Sequence, residues 1–291
     1  MALPDVDTRV TYPAGELVQP ARVLHVATAG DGLLAVVTDV TSFHPVDAAW
    51  PDQPADTGVI EAHGVDLRVR DAVVAASDGA SLHLGADIPV RKGTEGWAFL
   101  VAHLVDDDAA IAEGDLVAIV ADPTARRELS LGHTACHAAS LALNLALASR
   151  WSKEARADAL GNPDFDGIAI ASSRIEPGAS VDRYRLNKSL RRAGFDVPGL
   201  LETDLDDLAR TIAASVQGWI TANAPIRIDR DGDGLTDRRR WVAELPVGTA
   251  EIPCGGTHAD SLGELGDVRV SLRLVDDDGT PVLEMRTGVT G

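Results

Sequence analysis

Short apolar runs separated by turn residues fill the chain from about residue 20 to about residue 120. They include LLAVVTDV, WAFLVAHL and DLVAIVA, which are rich in β-branched residues, and turns such as GDG, HG and SDG interrupt them. Runs of this length and composition are typical of β-strands. The pattern therefore predicts a small β-barrel or sandwich over this part of the chain.

The pattern becomes helical at Glu128. The stretch ELSLGHTACHAASLALNLALASRW, which ends at Trp151, is rich in alanine and leucine and contains no proline, so it predicts a buried helix. Further along, FDGIAIASSRI and SVDRYRL predict a pair of strands. The segment from Thr203 to Pro225 predicts an amphipathic helix with Thr203 as its N-cap.

These elements divide the chain into two predicted domains of different type. Residues 1–120 form the β-barrel, and residues 121–291 form a domain that mixes helices and strands. The last stretch of that domain, VRVSLRLVDDDGTPVLEMRTGV, predicts a hairpin that turns at Asp278 and Gly279. The predicted fold class is α+β, with a small N-terminal β-barrel followed by an α/β domain that carries the candidate site discussed below.

Charge and composition narrow the class of protein. The formal net charge is −19 and the chain has three lysines, which argues against a large basic face. We therefore expect no DNA partner, and any contact with RNA has to be local. The chain has an acidic start and no run of about 18 apolar residues, so we expect a soluble, cytoplasmic protein with no membrane partner.

Two motifs contain histidine and cysteine at the spacing of metal ligands. His133 and His137 lie one turn apart on the same side of the predicted helix, so both imidazoles can reach one ion. Cys254 and His258 flank two glycines in CGGTH, which permit a tight turn around an ion. One cysteine and three histidines are typical zinc ligands, so these four residues form the predicted zinc site. The other cysteine, Cys136, is predicted to be buried and inert.

Two familiar kinds of zinc protein do not fit this pattern. A zincin helix has a glutamate directly after the first histidine, where this chain has Thr134. A zinc finger has closely spaced ligand pairs, whereas these two pairs are separated by roughly 120 residues. A site that joins such distant segments of a large domain favours a functional role over a purely structural one.

Around these residues the chain resembles the alanyl-tRNA editing family, which comprises the editing domain of alanyl-tRNA synthetase and the freestanding AlaX-type proteins and is related to the editing domain of threonyl-tRNA synthetase. HTACH matches the family's HTA-x-H, and IPCGGTHADSLGELG matches its CGGTH followed by an EIG-like strand. TSFHPVDAAWPDQPADTG is similar to T-x-FYP-x-GGGQP-x-D-x-G, with Trp50 and Pro51 in place of glycines. The similarity covers most of the chain, as in a freestanding editing protein.

The resemblance implies a zinc-dependent deacylase that hydrolyses mischarged aminoacyl-tRNA(Ala), carrying serine or glycine. It implies substrate contacts by Thr41, Gln53, Gly255, Gly256 and Thr257. Four protein ligands close the tetrahedron around zinc, so we expect one of them, with His258 as the candidate, to be weak or to be displaced when substrate binds. No catalytic group beyond the zinc site is identified. The altered glycine-rich motif leaves an alternative, a hydrolase or binding module of the same fold that acts on a small aminoacyl compound.

Basic residues cluster in one segment of this acidic chain. The segment DRYRLNKSLRRAG contains Arg183, Arg185, Lys188, Arg191 and Arg192. Charges more than roughly 8 Å apart are substantially screened at physiological salt, so such a cluster creates a local positive patch. These five residues are the predicted tRNA contacts. The alternative is a solvated face that neighbouring carboxylates neutralise.

Overall fold

The computed structural model describes residues 3–291, which form two compact units. The first unit contains the described residues up to Arg126 together with Arg230–Arg239 and Gly255–Thr257. The second contains Arg127–Asp229, Arg240–Cys254 and His258–Gly291. Two short segments from late in the chain thus belong to the first unit, which the sequence pattern did not indicate. The domain division into residues 1–120 and 121–291 remains a prediction.

Ten strands lie in the described part of the first unit. Their bounds are β1 Arg9–Val10, β2 Val18–Gly30, β3 Leu33–Thr38, β4 Val40–Thr41, β5 Gly58–Ala62, β6 Val65–Val69, β7 Asp71–Ser77, β8 Leu82–Leu84, β9 Ala98–Asp106 and β10 Leu116–Ala121. Eight of them form one sheet in the order β6-β5-β10-β2-β3-β9-β7-β8, and β1 pairs in parallel with β4. The predicted strands are confirmed, whereas closure into a barrel remains a prediction.

The longest strand, β2, connects the two halves of this sheet. Its first residues pair with β10 and its later residues pair with β3, and the pairing register shifts between Val23 and His25. A bulge of this kind bends a strand. The central strands are buried on both faces, where Val36, Val37 and Leu100 are 0% exposed. Burial on both faces explains why these strands are continuous apolar runs in the sequence.

Helix α1, Pro123–Leu147, carries the first histidine motif and begins five residues before the predicted start at Glu128. Asp122 accepts hydrogen bonds from the backbone N–H groups of Thr124 and Ala125, and Pro123 needs no such partner at the first helical position. The sequence pattern placed the start too late because the first turn is polar. No helix within residues 3–291 is both long enough and apolar enough to span a membrane.

The remaining elements pack into a mixed α/β second unit. They are α2 Phe165–Ala169, β11 Ile170–Glu176, β12 Ala179–Arg185, α3 Lys188–Ala193, α4 Val197–Leu201, α5 Leu205–Thr221, β13 Ile226–Arg230, β14 Arg239–Leu245, β15 Gly248–Pro253, β16 Val268–Asp277 and β17 Thr280–Val289. Two sheets result, with strand orders β11-β12-β17-β16 and β13-β14-β15. Asp278 and Gly279 form the predicted hairpin turn between β16 and β17, and their φ angles of 50° and 79° fit a type I′ turn.

Helix α5 packs its apolar face into the core of this unit and contacts β16. Ile212, Val216 and Trp219 are among its buried residues, as the amphipathic pattern predicted. The predicted N-cap was wrong by one residue. Asp204 accepts hydrogen bonds from the backbone N–H groups at positions 206 and 207, and its charge also favours the positive end of the helix dipole. The hydroxyl of Thr203 instead donates to the carbonyl of residue 199.

Candidate metal centre

The structure brings the four predicted ligands into one group within the second unit. Their ligand atoms all lie within 4.8 Å of one another, and the group is His133, His137, Cys254 and His258. The first two side chains project from consecutive turns of α1, with ring centroids 4.9 Å apart. Cys254 follows β15 directly, and His258 lies four residues further along the chain. Cys254 Sγ lies 3.5 Å from His133 Nε2 and 3.2 Å from His258 Nε2.

These residues fit a tetrahedral zinc ion. Zinc binds thiolate at about 2.3 Å and imidazole at about 2.0 Å, so a sulfur and a nitrogen of one tetrahedron lie about 3.5 Å apart. The two distances from Cys254 Sγ are close to that value. In addition, His137 Nε2 is buried and has no hydrogen-bond partner among the described residues. A buried polar atom without a partner is costly, and a metal ion bound there would satisfy it.

Burial keeps His137 in the form that binds a metal. His133 is 2% exposed, and the fully buried ring of Trp241 packs against His137 with centroids 5.1 Å apart. Desolvation lowers the pKa of His137 from 6.5 to about 4, so this side chain is neutral at pH 7. A neutral imidazole has a free lone pair, so it can bind a metal without first releasing a proton.

Cys136 lies on α1 beside His137, yet its thiol has other partners. The thiol donates to Asp182 Oδ1 at 3.4 Å and lies 3.7 Å from Ser173 Oγ. Desolvation, followed by the neighbouring carboxylates of Asp182 and Asp166, raises the pKa of the Cys136 thiol well above its ordinary value. A thiol that keeps its proton is a poor metal ligand, in agreement with the inert role predicted for it.

Among the predicted substrate residues, Gln53 and Thr257 are bonded to each other within the first unit. Gln53 Nε2 donates to Thr257 Oγ1 at 2.9 Å, and the N–H of Thr257 donates to Gln53 Oε1 at 3.1 Å. Both residues are buried, as is Gly256, whereas Gly255 is exposed. Gln53 is therefore held in one orientation by Thr257.

Thr41, the remaining predicted substrate residue, is fully buried. His103 Nδ1 donates to the carbonyl of Val36, so its Nε2 is an acceptor and receives the Thr41 hydroxyl at 2.8 Å. Thr41 Oγ1 in turn accepts the N–H of Phe43. The structure thus shows a role for Thr41 in supporting its own loop, while its contact with substrate remains a prediction. Sequence reasoning missed His103, which no motif marks.

A buried ion pair fixes the stretch that holds Gln53. Arg126 donates from Nε to Asp56 Oδ1 at 2.7 Å and from a terminal nitrogen to Asp56 Oδ2, and both side chains are nearly inaccessible to solvent. The same carboxylate accepts the N–H of His44, and Arg126 also donates to the carbonyl of Ser42. Asp56 occupies the aspartate position of the family motif QP-x-D-x-G, and the sequence indicated no role for it.

The five predicted tRNA contacts are distributed over two elements. Arg183 lies on β12, 3.8 Å from Asp277 and 3.9 Å from Glu284, so part of its charge is already compensated. The exposed Lys188, Arg191 and Arg192 lie on α3, and the exposed Arg185 ends β12. A cavity of about 820 Å³ adjoins α3, and its lining residues include Arg150, Trp151, Arg191 and Phe195.

Comparison with known proteins points to one group of relatives. No family model matches the chain. The alanine–tRNA ligase of Methanothermobacter thermautotrophicus is 23% identical over 98% of this chain and 28% of its own length. The alanine–tRNA ligase of Desulfosudis oleivorans is 26% identical over 94% of this chain and 26% of its own length. That of Nocardioides sp. is 28% identical over 87% of this chain and 24% of its own length.

The chain thus spans about a quarter of the length of the curated relatives it matches. All eight curated relatives found at this level of similarity are alanine–tRNA ligases. In the first of these comparisons the similarity extends over 98% of this chain. These comparisons confirm the resemblance given by the motifs HTACH and CGGTH, and they identify the chain as a relative of one segment of the alanine–tRNA ligases.

Proposed function

We propose that this chain is a zinc-dependent deacylase that removes serine or glycine from mischarged tRNA(Ala). The observation that carries the proposal is the group of His133, His137, Cys254 and His258, which meets the geometry of a metal site in a relative of alanine–tRNA ligases. A synthetic site that accepts alanine cannot exclude the smaller glycine and rejects serine only weakly. A second, hydrolytic site is therefore chemically required for accurate charging.

The proposed reaction splits the aminoacyl ester with one water molecule, which gives the free amino acid and the free ribose hydroxyl of the tRNA. A bound zinc ion would supply Lewis-acid polarisation. The four ligands would hold the ion until substrate displaces His258 and opens one position, and the buried Trp241 beside His137 would limit the access of bulk water. Electrostatic interactions are stronger in such a low-dielectric environment.

Gln53 and Thr257 are the proposed contacts with the amino acid. Each end of the Gln53 amide is bonded to Thr257, so the amide is held in one orientation. A polar group held in this way discriminates between substrates better than a mobile one. The glycines at positions 255 and 256 would let the substrate approach the backbone closely, and Thr41 would support the same loop.

The tRNA would be bound through phosphate contacts on the α3 side of the second unit. Lys188, Arg191 and Arg192 are exposed there, and Arg185 precedes them on β12. Arg191 also lines the adjoining cavity with Arg150 and Trp151. Guanidinium groups bind phosphate oxygens, and an aromatic ring can stack on an unpaired base, so this surface suits an RNA strand better than a small ester.

Deacylation of Ser-tRNA(Ala), Gly-tRNA(Ala) and Ala-tRNA(Ala) by the purified protein tests the proposal. We expect faster release of serine and glycine than of alanine. Cys254→Ala should abolish this activity because it removes a metal ligand, whereas Cys136→Ala should retain it. Hydrolysis of small seryl or glycyl esters without activity on the charged tRNAs would instead support the alternative of a small aminoacyl substrate. No hydrolysis of either class would contradict the proposal.

A further inference from the structure

The hydroxyl of Thr134 contacts two consecutive residues, His258 at the end of CGGTH and Ala259 directly after it. Thr134 follows His133 on α1 and its side chain is 0% exposed. Its Oγ1 accepts the backbone N–H of Ala259 at 3.0 Å and lies 3.3 Å from His258 Nδ1. One buried hydroxyl thus touches both a candidate metal ligand and the residue that follows it. Its two lone pairs suffice for two donors.

Metal binding through Nε2 would decide which nitrogen of the His258 ring carries the proton. Nε2 lies 3.2 Å from Cys254 Sγ, so this nitrogen faces the other ligands. A neutral imidazole binds a metal through its unprotonated nitrogen and carries its proton on the other nitrogen. Nδ1 is therefore the protonated atom in a metal-binding His258, and Thr134 Oγ1 is the acceptor within reach of it. The reverse bond, with Thr134 donating to Nδ1, would place the proton on Nε2 and block the ligand.

We propose that Thr134 is a positioning residue for the metal centre. It selects the Nδ1-protonated form of His258 and fixes the ring plane, so that Nε2 presents its lone pair to the ion. Hydrogen bonds to the outer nitrogen of a ligating histidine generally orient the ring and raise its basicity. The inference rests on the proposed metal centre. It gives a function to Thr134, which directly follows the first histidine, the position at which a zincin has its glutamate.

Metal affinity of matched variants tests this role. Thr134→Val keeps the shape of the side chain and removes the acceptor, and it should weaken zinc binding by about 10-fold to 100-fold in competition with a chelator. Thr134→Ser restores a hydroxyl and should recover most of the affinity. Thr287→Val is the control, because Thr287 is another fully buried threonine of the second unit and its hydroxyl has no hydrogen-bond partner among residues 3–291. It should bind zinc like the unaltered protein.

A second measurement separates this role from simple anchoring of the loop. Long-range ¹H–¹⁵N spectra of the metal-free protein report which nitrogen of His258 carries the proton. We expect the Nδ1-protonated form in the unaltered protein and in Thr134→Ser, and a mixture of both forms in Thr134→Val. A residue that only anchored Ala259 would leave the protonated nitrogen unchanged in all three proteins, and that result would overturn the inference.

The outcomes distinguish this inference from the proposed function. If the unaltered protein binds zinc and Thr134→Val binds it equally well, Thr134 has no positioning role and the metal centre stands. If the unaltered protein binds no zinc while it is folded, the centre itself is wrong and the role of Thr134 is wrong with it. Weaker binding in Thr134→Val together with recovery in Thr134→Ser supports both.

Discussion

Cys254 and Cys136 have opposite surroundings. Cys254 Sγ lies among imidazole nitrogens, the nearest at 3.2 Å, and these are the neighbours of a thiolate that binds a metal. Cys136 instead donates to the carboxylate of Asp182, and burial raises the pKa of its thiol. A thiol beside an anion keeps its proton, whereas one beside imidazoles loses it when a metal binds. The two cysteines therefore offer a matched test of the centre.

Cys254→Ala should lower the zinc content of the purified protein from about one ion per chain to a small fraction of that, because it removes one of four ligands. His133→Ala should do the same. Cys136→Ala should leave the content unchanged. Metal analysis by mass spectrometry on extensively dialysed protein measures all three. Full occupancy in both Cys254→Ala and His133→Ala would show that these residues do not bind the ion.

Asp182 gives the fold a dependence on pH. Burial is the main cause that raises its pKa from 3.8 to about 6, and the hydroxyls of Ser173 and Ser180 partly offset it. The folded state thus holds a proton more tightly than the unfolded chain. The resulting stabilisation is complete below about pH 4 and is lost as the pH rises through about 6.

Asp182→Asn should remove this dependence. An amide stays neutral at every pH. Between pH 4 and pH 7 the unfolding free energy of the variant should therefore rise by on the order of 2 kcal/mol relative to that of the unaltered protein. Urea unfolding of both proteins in matched buffers gives the difference in unfolding free energy at each pH. A difference that stays constant across this range would contradict the raised pKa.

At the scale of elements, α1 lies very close to the backbone between β11 and β12. A Cβ atom at Gly132 would lie 2.4 Å from the carbonyl oxygen of Glu176 and 2.5 Å from that of Ala179. Both atoms belong to the backbone, so they cannot move aside as a flexible side chain would. Because Gly132 directly precedes His133, this close approach also sets the position of the first ligand.

Gly132→Ala should therefore destabilise the protein by about 1–3 kcal/mol, as overpacking usually does, and should also weaken zinc binding. Gly218→Ala is the control. Gly218 is also in a helix, α5, but it is exposed and a Cβ there would meet no atom within 4 Å. That substitution should stabilise by up to about 1 kcal/mol, because alanine favours helix more than glycine does. Chemical denaturation measures both, and equal effects would contradict the close packing.

Features with a local cause were predictable from the sequence. His133 and His137 share a face of α1 because of helical periodicity, and the turn at Asp278 and Gly279 follows from backbone preferences of single residues. The helix ends were less predictable. Asp204 rather than its neighbour caps α5, since both residue types are good caps and only the backbone geometry decides between them.

The supporting contacts depend on residues far apart in the chain. Thr41 and His103 are 62 positions apart, and Asp56 and Arg126 are 70 positions apart. No local pattern marks such pairs, because each partner alone has several equally plausible neighbours. The same holds for Thr134, whose contacts with His258 and Ala259 arise only when α1 and the CGGTH segment fold together. The candidate ligands could be predicted from the sequence, but the long-range contacts of Thr41, Asp56 and Thr134 could not.

At the scale of the whole molecule, a net charge of −19 opposes the approach of an RNA. The cationic residues of α3 would have to overcome this repulsion locally. Replacing Arg191 and Arg192 together with alanine should raise KM for charged tRNA several-fold and reduce the slope of log KM against log salt by about 1–2. Zinc content should not change. Deacylation kinetics between low and physiological salt measure both quantities.

The control for this prediction is a double replacement of Arg227 and Arg273 with alanine. Both residues are exposed, on β13 and β16, and both already pair with glutamates. The control removes the same formal charge but leaves α3 unchanged. It should therefore change KM and its salt slope much less than the α3 double variant does. Equal effects of the two double variants would mean that only net charge matters and that α3 is not a binding surface.

His133 and Cys254 are separated by 121 residues, so an ion bound between them acts as a removable cross-link that closes a large ring of chain. The unfolded chain does not bring these side chains together, so the metal favours the folded state by mass action. Each tenfold rise in free zinc above the dissociation constant adds about 1.4 kcal/mol to the unfolding free energy. The melting temperature should rise steadily across a series of zinc buffers, so the amount of folded protein in a cell would follow the zinc supply.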